Sequence, residues 1–530
     1  MVKDPGLGLQ RRVTRPITDG MTMPQTDPAI HAPDHPWPAC PAPFNLAAHV
    51  LAAGAATPDK VAVAVIAPTR SERWSFDRLR GAVLGTATGL LQAGLAPGDR
   101  VLMRIGNSID FPVLFLGAVA AGIVPVPTAA ALTARELGPM LDRVSPAAIL
   151  TAPDVALPET DLPRIGPDRY HGWRALPPVT PVLGAPDRLA FMVFTSGTAA
   201  QPRAVAHAHR AIWARGMMTR GWYDLTDQDR VLHAGAFNWT FTLGTGLLDP
   251  WTAGATALIP AAGTDAAQLP LLLARHDATI FAAAPGVYRR VLRAPLPALP
   301  TLRHGLCAGE KLSEPVRRLW QDRTGTALHE AYGMSECSTF VSGAPGRTVD
   351  AGSIGWPQPG RRVAIVDAQG TPLPRNTPGI IAVDAADPGL MLGYWGDAAG
   401  TAARLQGGWF LTGDQGAMGT DGQIRYLGRE DDQINPGGFR VSPLEIETAL
   451  ADLPGISELA VTELTVKDGV RVVAAFYTAD NDLDSAALEA GARERLADFK
   501  RPRAWIRVDA LPRSPNGKLL RRSLPALAPN

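Results

Sequence analysis

The chain has 530 residues, 46% of them hydrophobic and 19% charged, which describes a globular protein too long for one simple core and excludes a disordered or fibrous one. Its formal net charge is +1, so no electrostatic footprint points to nucleic acid or an anionic membrane surface. Three cysteines (Cys40, Cys307, Cys337) fall in no Cys-x-x-Cys or Cys/His spacing, which argues against a disulfide framework or a zinc site and fits a reducing cytoplasm.

Residues 1–42 are rich in Pro, Asp and Thr and lack periodicity, the pattern of a loose or extended arm. From residue 45 onward helix-period and strand-like runs alternate. Ser75 is placed to cap a helix running to Gly94, and a strand is expected at Arg100–Ile105 after the turn Leu95-Ala96-Pro97-Gly98-Asp99. Val113–Ala134 carries no charge, but it is rich in Ala and Gly and is interrupted by Pro125 and Pro127. It reads as a buried helix from Pro112 to Gly122 followed by a short strand at Ile123–Val126, not as a membrane span. Alternation to about Pro345 marks doubly wound α/β layers. Residues 353–427 read as β-rich. The last hundred residues form a small α+β unit, with helices near 443–451 and 485–498 and strands near 459–466 and 470–477.

Five segments carry chemistry. After the apolar run Leu189–Val193 comes Phe194-Thr195-Ser196-Gly197-Thr198-Ala199, then Pro202 and Arg203. Small hydroxyl residues around a glycine let backbone N–H groups converge on an anion, although such clusters are more often plain turns. The second segment is Glu330-Ala331-Tyr332-Gly333-Met334-Ser335-Glu336, an aromatic face beside a hydroxyl and a carboxylate suited to Mg²⁺. The third, Gly408–Asp414, sets a carboxylate in a glycine-framed loop. The fourth runs from Gly428-Arg429-Glu430-Asp431 through Asn435-Pro436-Gly437-Gly438-Phe439-Arg440 to Glu447, and its arginine forks suit phosphate oxygens. The fifth is Leu511-Pro512-Arg513-Ser514-Pro515-Asn516-Gly517-Lys518. Only six of the 51 basic residues are lysines, so a retained lysine at a loop tip hints that an ammonium is needed there.

With all five in this order, the chain resembles the adenylate-forming superfamily of acyl-CoA synthetases, carrier-loading adenylation domains and luciferases, from about Phe44 to Arg522. The resemblance implies an α/β fold. A large multi-layer N-terminal domain (residues 43–430, two α/β subdomains and a β-rich one) would precede a small mobile α+β domain (431–530) that swings at a hinge, Asp431. It implies that a carboxylate attacks the α-phosphorus of ATP to give acyl-AMP and pyrophosphate, and that a thiol then attacks the acyl-AMP. Thr195, Ser196, Gly197, Thr198 and Arg203 would hold the pyrophosphate end. Gly309, Glu310 and Lys311 would line the adenine, and Tyr332, within Glu330–Met334, would stack on it. Ser335 would contact phosphate and Glu336 would bind Mg²⁺. Asp414 and Arg429 would take the ribose, Arg440 would lie near phosphate, and Lys518 would bridge carboxylate and α-phosphate. Gly437 and Gly438 would line the pantetheine tunnel.

Ala199, Ala200, Arg203 and Ala204 depart from the superfamily's usual Thr, Gly, Lys and Gly, and Ser335 replaces Thr; charge and hydroxyl are kept. The usual acyl-pocket wall is Ala236–Gly244. Three aromatics in five residues there (Phe237, Trp239, Phe241) suggest a confined apolar cavity, with Phe237, Trp239 and Gly333 in the acyl pocket, for an aromatic, alicyclic or short-to-medium acid. With twelve residues after Lys518 and no carrier domain among them, CoA is the expected acceptor. Two alternatives stay open: an enzyme that loads a separate carrier protein, and a non-catalytic nucleotide-binding homologue. The expected partners are the acid, ATP and CoA, with no nucleic acid and no membrane span, in a cytoplasmic monomer or homodimer.

Overall fold

The computed structural model describes residues 27–195, 202–432, 434, 441–466, 471–514 and 518–529. A nine-stranded sheet forms its centre. Six neighbouring strands are parallel, in the order Ala327–Met334, His304–Ala308, Ile280–Ala283, Arg230–His233, Thr256–Pro260 and Val61–Ile66. Antiparallel strands close both edges. Buried on both faces, the parallel strands are largely continuous apolar runs, such as Ile-Phe-Ala-Ala at 280–283, all four residues of which are buried.

A four-stranded parallel sheet packs beside it, with Val124–Pro127 at an edge. Pro125 and Pro127 are tolerated there because an edge strand needs donors on one side only. The preceding helix is Asp110–Ala120, with every residue from Phe111 to Ala120 buried. It begins two residues before the position expected from Pro112, because a proline in the first turn removes an N–H that has no helical partner anyway. Gly117 lets it approach the helix Phe76–Gln92 closely: a Cβ there would sit 3.0 Å from Thr86. Ser75 caps that second helix, its side chain accepting from the Arg78 N–H at 3.3 Å.

A three-stranded antiparallel sheet (Leu189–Thr195, Arg203–Ala208, Gly393–Tyr394) and a six-stranded antiparallel sheet containing Gly379–Asp384 and Trp409–Met418 complete the large domain. The end of the N-terminal arm runs extended across it. Ile30–His31 pairs with Val363–Ala364, and the Trp37 indole donates to the Trp213 carbonyl at 3.1 Å. The C-terminal domain is a three-stranded sheet (Glu458–Thr465, Arg471–Thr478, Ala504–Arg507) covered by the helices Pro443–Leu450 and Ser485–Arg495, with its own apolar cluster around Ile446, Val461 and Val473.

Several histidines are buried in the neutral form. Burial pushes the His233 imidazole down to about 3, and both its ring nitrogens lack hydrogen-bond partners among the described residues. Burial, with Arg188 nearby, does the same to His209, whose Nδ1 accepts the Leu46 N–H at 3.0 Å. Their folded values lie below the ordinary 6.5, so their contribution to stability is complete above 6.5 and is lost as pH falls toward 3. Each such histidine removes up to about 1.4 kcal/mol per pH unit in that window. The thermal midpoint is therefore expected to fall progressively from pH 7 to pH 4; a flat profile would contradict this assignment.

Candidate active site

The parallel strands deliver the motif residues to one place, the crevice beyond the carboxyl ends where open α/β sheets bind ligands. His304–Ala308 ends at Gly309-Glu310-Lys311, Ala327–Met334 runs into Ser335-Glu336, and Arg230–His233 leads to Phe237 and Trp239. Three motif segments far apart in sequence thus arise from strands of one sheet.

Tyr332 donates from its hydroxyl to Asp414 Oδ2 at 2.6 Å. Asp414 lies opposite Arg429 across the antiparallel strands 409–418 and 424–429, with Arg429 Nε 3.5 Å from Oδ1. Burial pushes the Asp414 carboxyl above its usual range, while the Tyr332 hydroxyl and the Arg429 and Lys518 cations pull against it. Lys518, from the other domain, thus lies near enough for its charge to act on this carboxylate. Its own side chain is exposed, as a group reaching from a loop tip must be.

Glu336 is buried, and its Oε1 accepts from the Tyr394 hydroxyl at 2.8 Å. Arg203 lies over the Tyr394 ring at 4.9 Å and 3.8 Å from Asp397. Strand pairing explains this cluster, because Gly393–Tyr394 adds to Arg203–Ala208 and Thr195 pairs with Arg203 across the preceding hairpin. Ser196, Gly197 and Thr198 lie outside the described residues. So do Gly437, Gly438 and Arg440. Asp431 ends up in the single 3₁₀ turn Glu430–Asp432, immediately after the large domain's last strand.

Glu330 and Lys311 are turned toward each other. The Lys311 ammonium donates to Glu330 Oε2 at 2.8 Å and to the Ser353 carbonyl at 3.0 Å, and the Leu312 N–H donates to Glu330 Oε1 at 2.8 Å. Arg317 adds a second cation to the same carboxylate at 3.2 Å. In this arrangement the charges of Lys311 and Glu330 are taken up by each other and by Arg317. Glu310 faces the C-terminal domain, where its carboxylate accepts from Arg513 and from the Leu519 N–H. Ala331, Gly333 and Met334 complete the strand. Gly333 sits at a register irregularity where a Cβ would meet the Ser338 carbonyl oxygen at 2.1 Å, so only glycine fits.

Of the two aromatics expected in the acyl wall, Trp239 lies over Gly309 and edge-on to Phe241 at 5.2 Å. Phe237 packs tilted on Phe111 at 5.1 Å, in the core, with its N–H donating to Asn107 Oδ1 at 3.1 Å. The sequence reading did not single out Tyr394 for holding Glu336. It gave no signal for Arg289 or Glu458, and none for the cross-domain pairing of Arg513, because their partners come from the other domain.

The chain is similar to known proteins over most of its length. The family profile described as AMP-binding enzyme matches residues 51–395, and the AMP-binding enzyme C-terminal domain matches 445–518. The benzoate–CoA ligase of Thauera aromatica is 31% identical over 460 residues, covering 81% of this chain and 86% of that protein. The mitochondrial acyl-coenzyme A synthetase ACSM3 of Rattus norvegicus is 28% identical over 491 residues, covering 85% and 84%. The crystal structure of ATP-bound MatB from Rhodopseudomonas palustris superposes with a TM-score of 0.82 at 27% identity, covering 91% of this chain and 99% of that one.

Proposed function

The chain belongs to the AMP-binding enzyme family and is an AMP-forming acid–thiol ligase; from that premise we propose that it joins a compact aromatic, alicyclic or short-to-medium carboxylic acid to CoA through an acyl-AMP intermediate. The observation that carries the proposal is the convergence of Tyr332, Asp414 and Arg429 beyond the carboxyl ends of the central strands, with the segment that carries Lys518 docked on Glu310 at the same end.

In the first step a carboxylate oxygen of the acid attacks the α-phosphorus of ATP. The bond from α-phosphorus to the bridging oxygen breaks and pyrophosphate leaves. Lys518 and Arg203 supply positive charge to oxygens that gain negative charge in that transition state. Asp414 and Arg429 hold the ribose and Tyr332 the base, fixing the reacting atoms in line. In the second step the CoA thiolate attacks the acyl carbonyl and AMP leaves, carrying away the oxygen that attacked. Swinging of the C-terminal domain about Asp431 exchanges Lys518 for the thiol tunnel between the steps.

The donor set suits magnesium. Glu336, oriented by Tyr394, and the hydroxyls of Ser335 and Thr195 are hard oxygen groups, and Mg²⁺ characteristically takes one or two carboxylates beside substrate phosphates. Bound there, the ion would neutralise phosphate charge. A cytoplasmic location accords with three free cysteines, two of them buried; among the described residues no helix is long and apolar enough to cross a membrane.

Trp239 over Gly309 supports the compact acid, because it narrows the pocket with a rigid ring. Gly309 has φ +102°, and a Cβ would lie 2.6 Å from the Trp239 ring. Gly309→Ala is therefore expected to lower kcat/KM for the acid about ten-fold or more, through backbone strain and displacement of the ring. Trp239→Ala shifts preference toward bulkier acids. An unchanged acid profile in both variants would remove Trp239 from the wall. The proposal itself is tested by pyrophosphate release across acids from acetate to palmitate, with and without CoA. CoA-stimulated turnover with compact acids is expected. Thioester formed only on a carrier protein would favour the carrier-loading alternative, and ATP binding without turnover the non-catalytic one.

A further inference from the structure

We infer that four alternating charges across the domain seam, Arg289, Glu458, Arg513 and Glu310, form a latch that holds Lys518 in its adenylating position, with Glu310 as the positioning residue. The inference rests on the function proposed above. Arg289 and Glu310 belong to the large domain, and Glu458 and Arg513 to the small one. Arg289 Nε lies 2.7 Å from Glu458, Arg513 Nη2 lies 3.0 Å from the same Glu458 oxygen, and Arg513 Nη1 lies 3.1 Å from Glu310. Arg289 and Glu310 close the ring at 3.9 Å. The four side chains are only 16–23% exposed, so water and salt screen them less than a surface pair.

The ring grips the residues on either side of the lysine. Arg513 and Leu519 face each other across a small hairpin, in which the Ser514 N–H donates to the Lys518 carbonyl at 2.8 Å. Glu310 Oε1 accepts the Leu519 N–H at 2.6 Å while the same carboxylate takes Arg513. One carboxylate of the large domain thus holds both sides of the hairpin that carries Lys518.

The ring also opens without stranding a charge. If the small domain swings away, Arg289 keeps Glu310 and Arg513 keeps Glu458, each a neutral pair within its own domain. Burying an unpaired charge is what makes most broken ion pairs costly, and here none results. The latch therefore favours one position without locking it, as an enzyme that alternates between two half-reactions requires.

The test separates the half-reactions. Arg513→Ala is expected to slow pyrophosphate formation from ATP and acid about ten-fold, while thioester formation from chemically prepared acyl-AMP and CoA stays equal or rises. Arg513→Lys should recover part of the loss. A parallel fall in both half-reactions, or no fall in either, would overturn the latch. Failure of the wild type to release pyrophosphate with any acid would instead count against the proposed function. The latch would then be judged without activity, by spin labels at Leu183→Cys and Glu489→Cys in a Cys40→Ser background. Arg513→Ala should broaden the inter-domain distance distribution relative to the parent, and an unchanged distribution would overturn the latch.

Discussion

Lys518→Ala is expected to reduce acyl-AMP formation about 10²- to 10³-fold, the usual effect of removing one preorganised charge or donor from a transition state. Thioester formation from supplied acyl-AMP should change little. Three observations converge on this expectation. The lysine is one of six in a chain that otherwise uses arginine. It sits next to Leu519 in a hairpin pinned on both sides by Glu310, and its charge acts on the Asp414 carboxyl of the other domain. An ammonium at a loop tip can enter and leave a site, whereas a planar guanidinium makes a wider, forked demand on its partners. Acetylation of Lys518 would remove the same charge and should produce the same split. Equal losses in both half-reactions would show that the residue supports the fold rather than the first step.

Asp249→Ala is expected to destabilise the large domain by about 3–5 kcal/mol, because it leaves a buried guanidinium without its counter-charge. Arg215 Nε and Nη2 each lie 2.6 Å from an oxygen of Asp249, and the Tyr223 hydroxyl donates to the same carboxylate at 2.8 Å. Arg215 also donates to Ser338, on the strand that follows the Tyr332 segment. Loss of the fork should therefore loosen the floor beneath the acyl wall as well as lower the urea midpoint. The double variant Arg215→Met with Asp249→Leu should recover most of the stability, since apolar replacement of a whole buried pair is often neutral. A single variant as stable as the wild type would contradict the fork.

Elements set by local signals were legible in the sequence. The Ser75 cap, the strand beginning at Arg100 and the small domain's strands and helices all occur within a few residues of their expected positions, because periodicity and capping act over short range. The fold class was also legible, and the motif order carried it. What stayed hidden depends on partners distant in the chain. Nothing in Gly309-Glu310-Lys311 says that Lys311 turns to Glu330 while Glu310 turns to Arg513, 203 residues further on. Phe237 illustrates the same limit: an aromatic in a wall motif can face the ligand or the core, and here it packs on Phe111. The arm's pairing at Ile30–His31 follows from an open sheet edge at Val363, which no local pattern reveals.

The central claim, that the acid is activated as an adenylate before thiol transfer, is tested most directly by an isotope. An acid labelled with ¹⁸O in its carboxyl group, benzoate for example, is turned over with ATP, Mg²⁺ and CoA, and the released nucleotide is weighed by mass spectrometry. One labelled oxygen in AMP is predicted, because the attacking carboxylate oxygen leaves with the phosphate when the thiol displaces it. Unlabelled AMP, or ADP in its place, would contradict the mechanism.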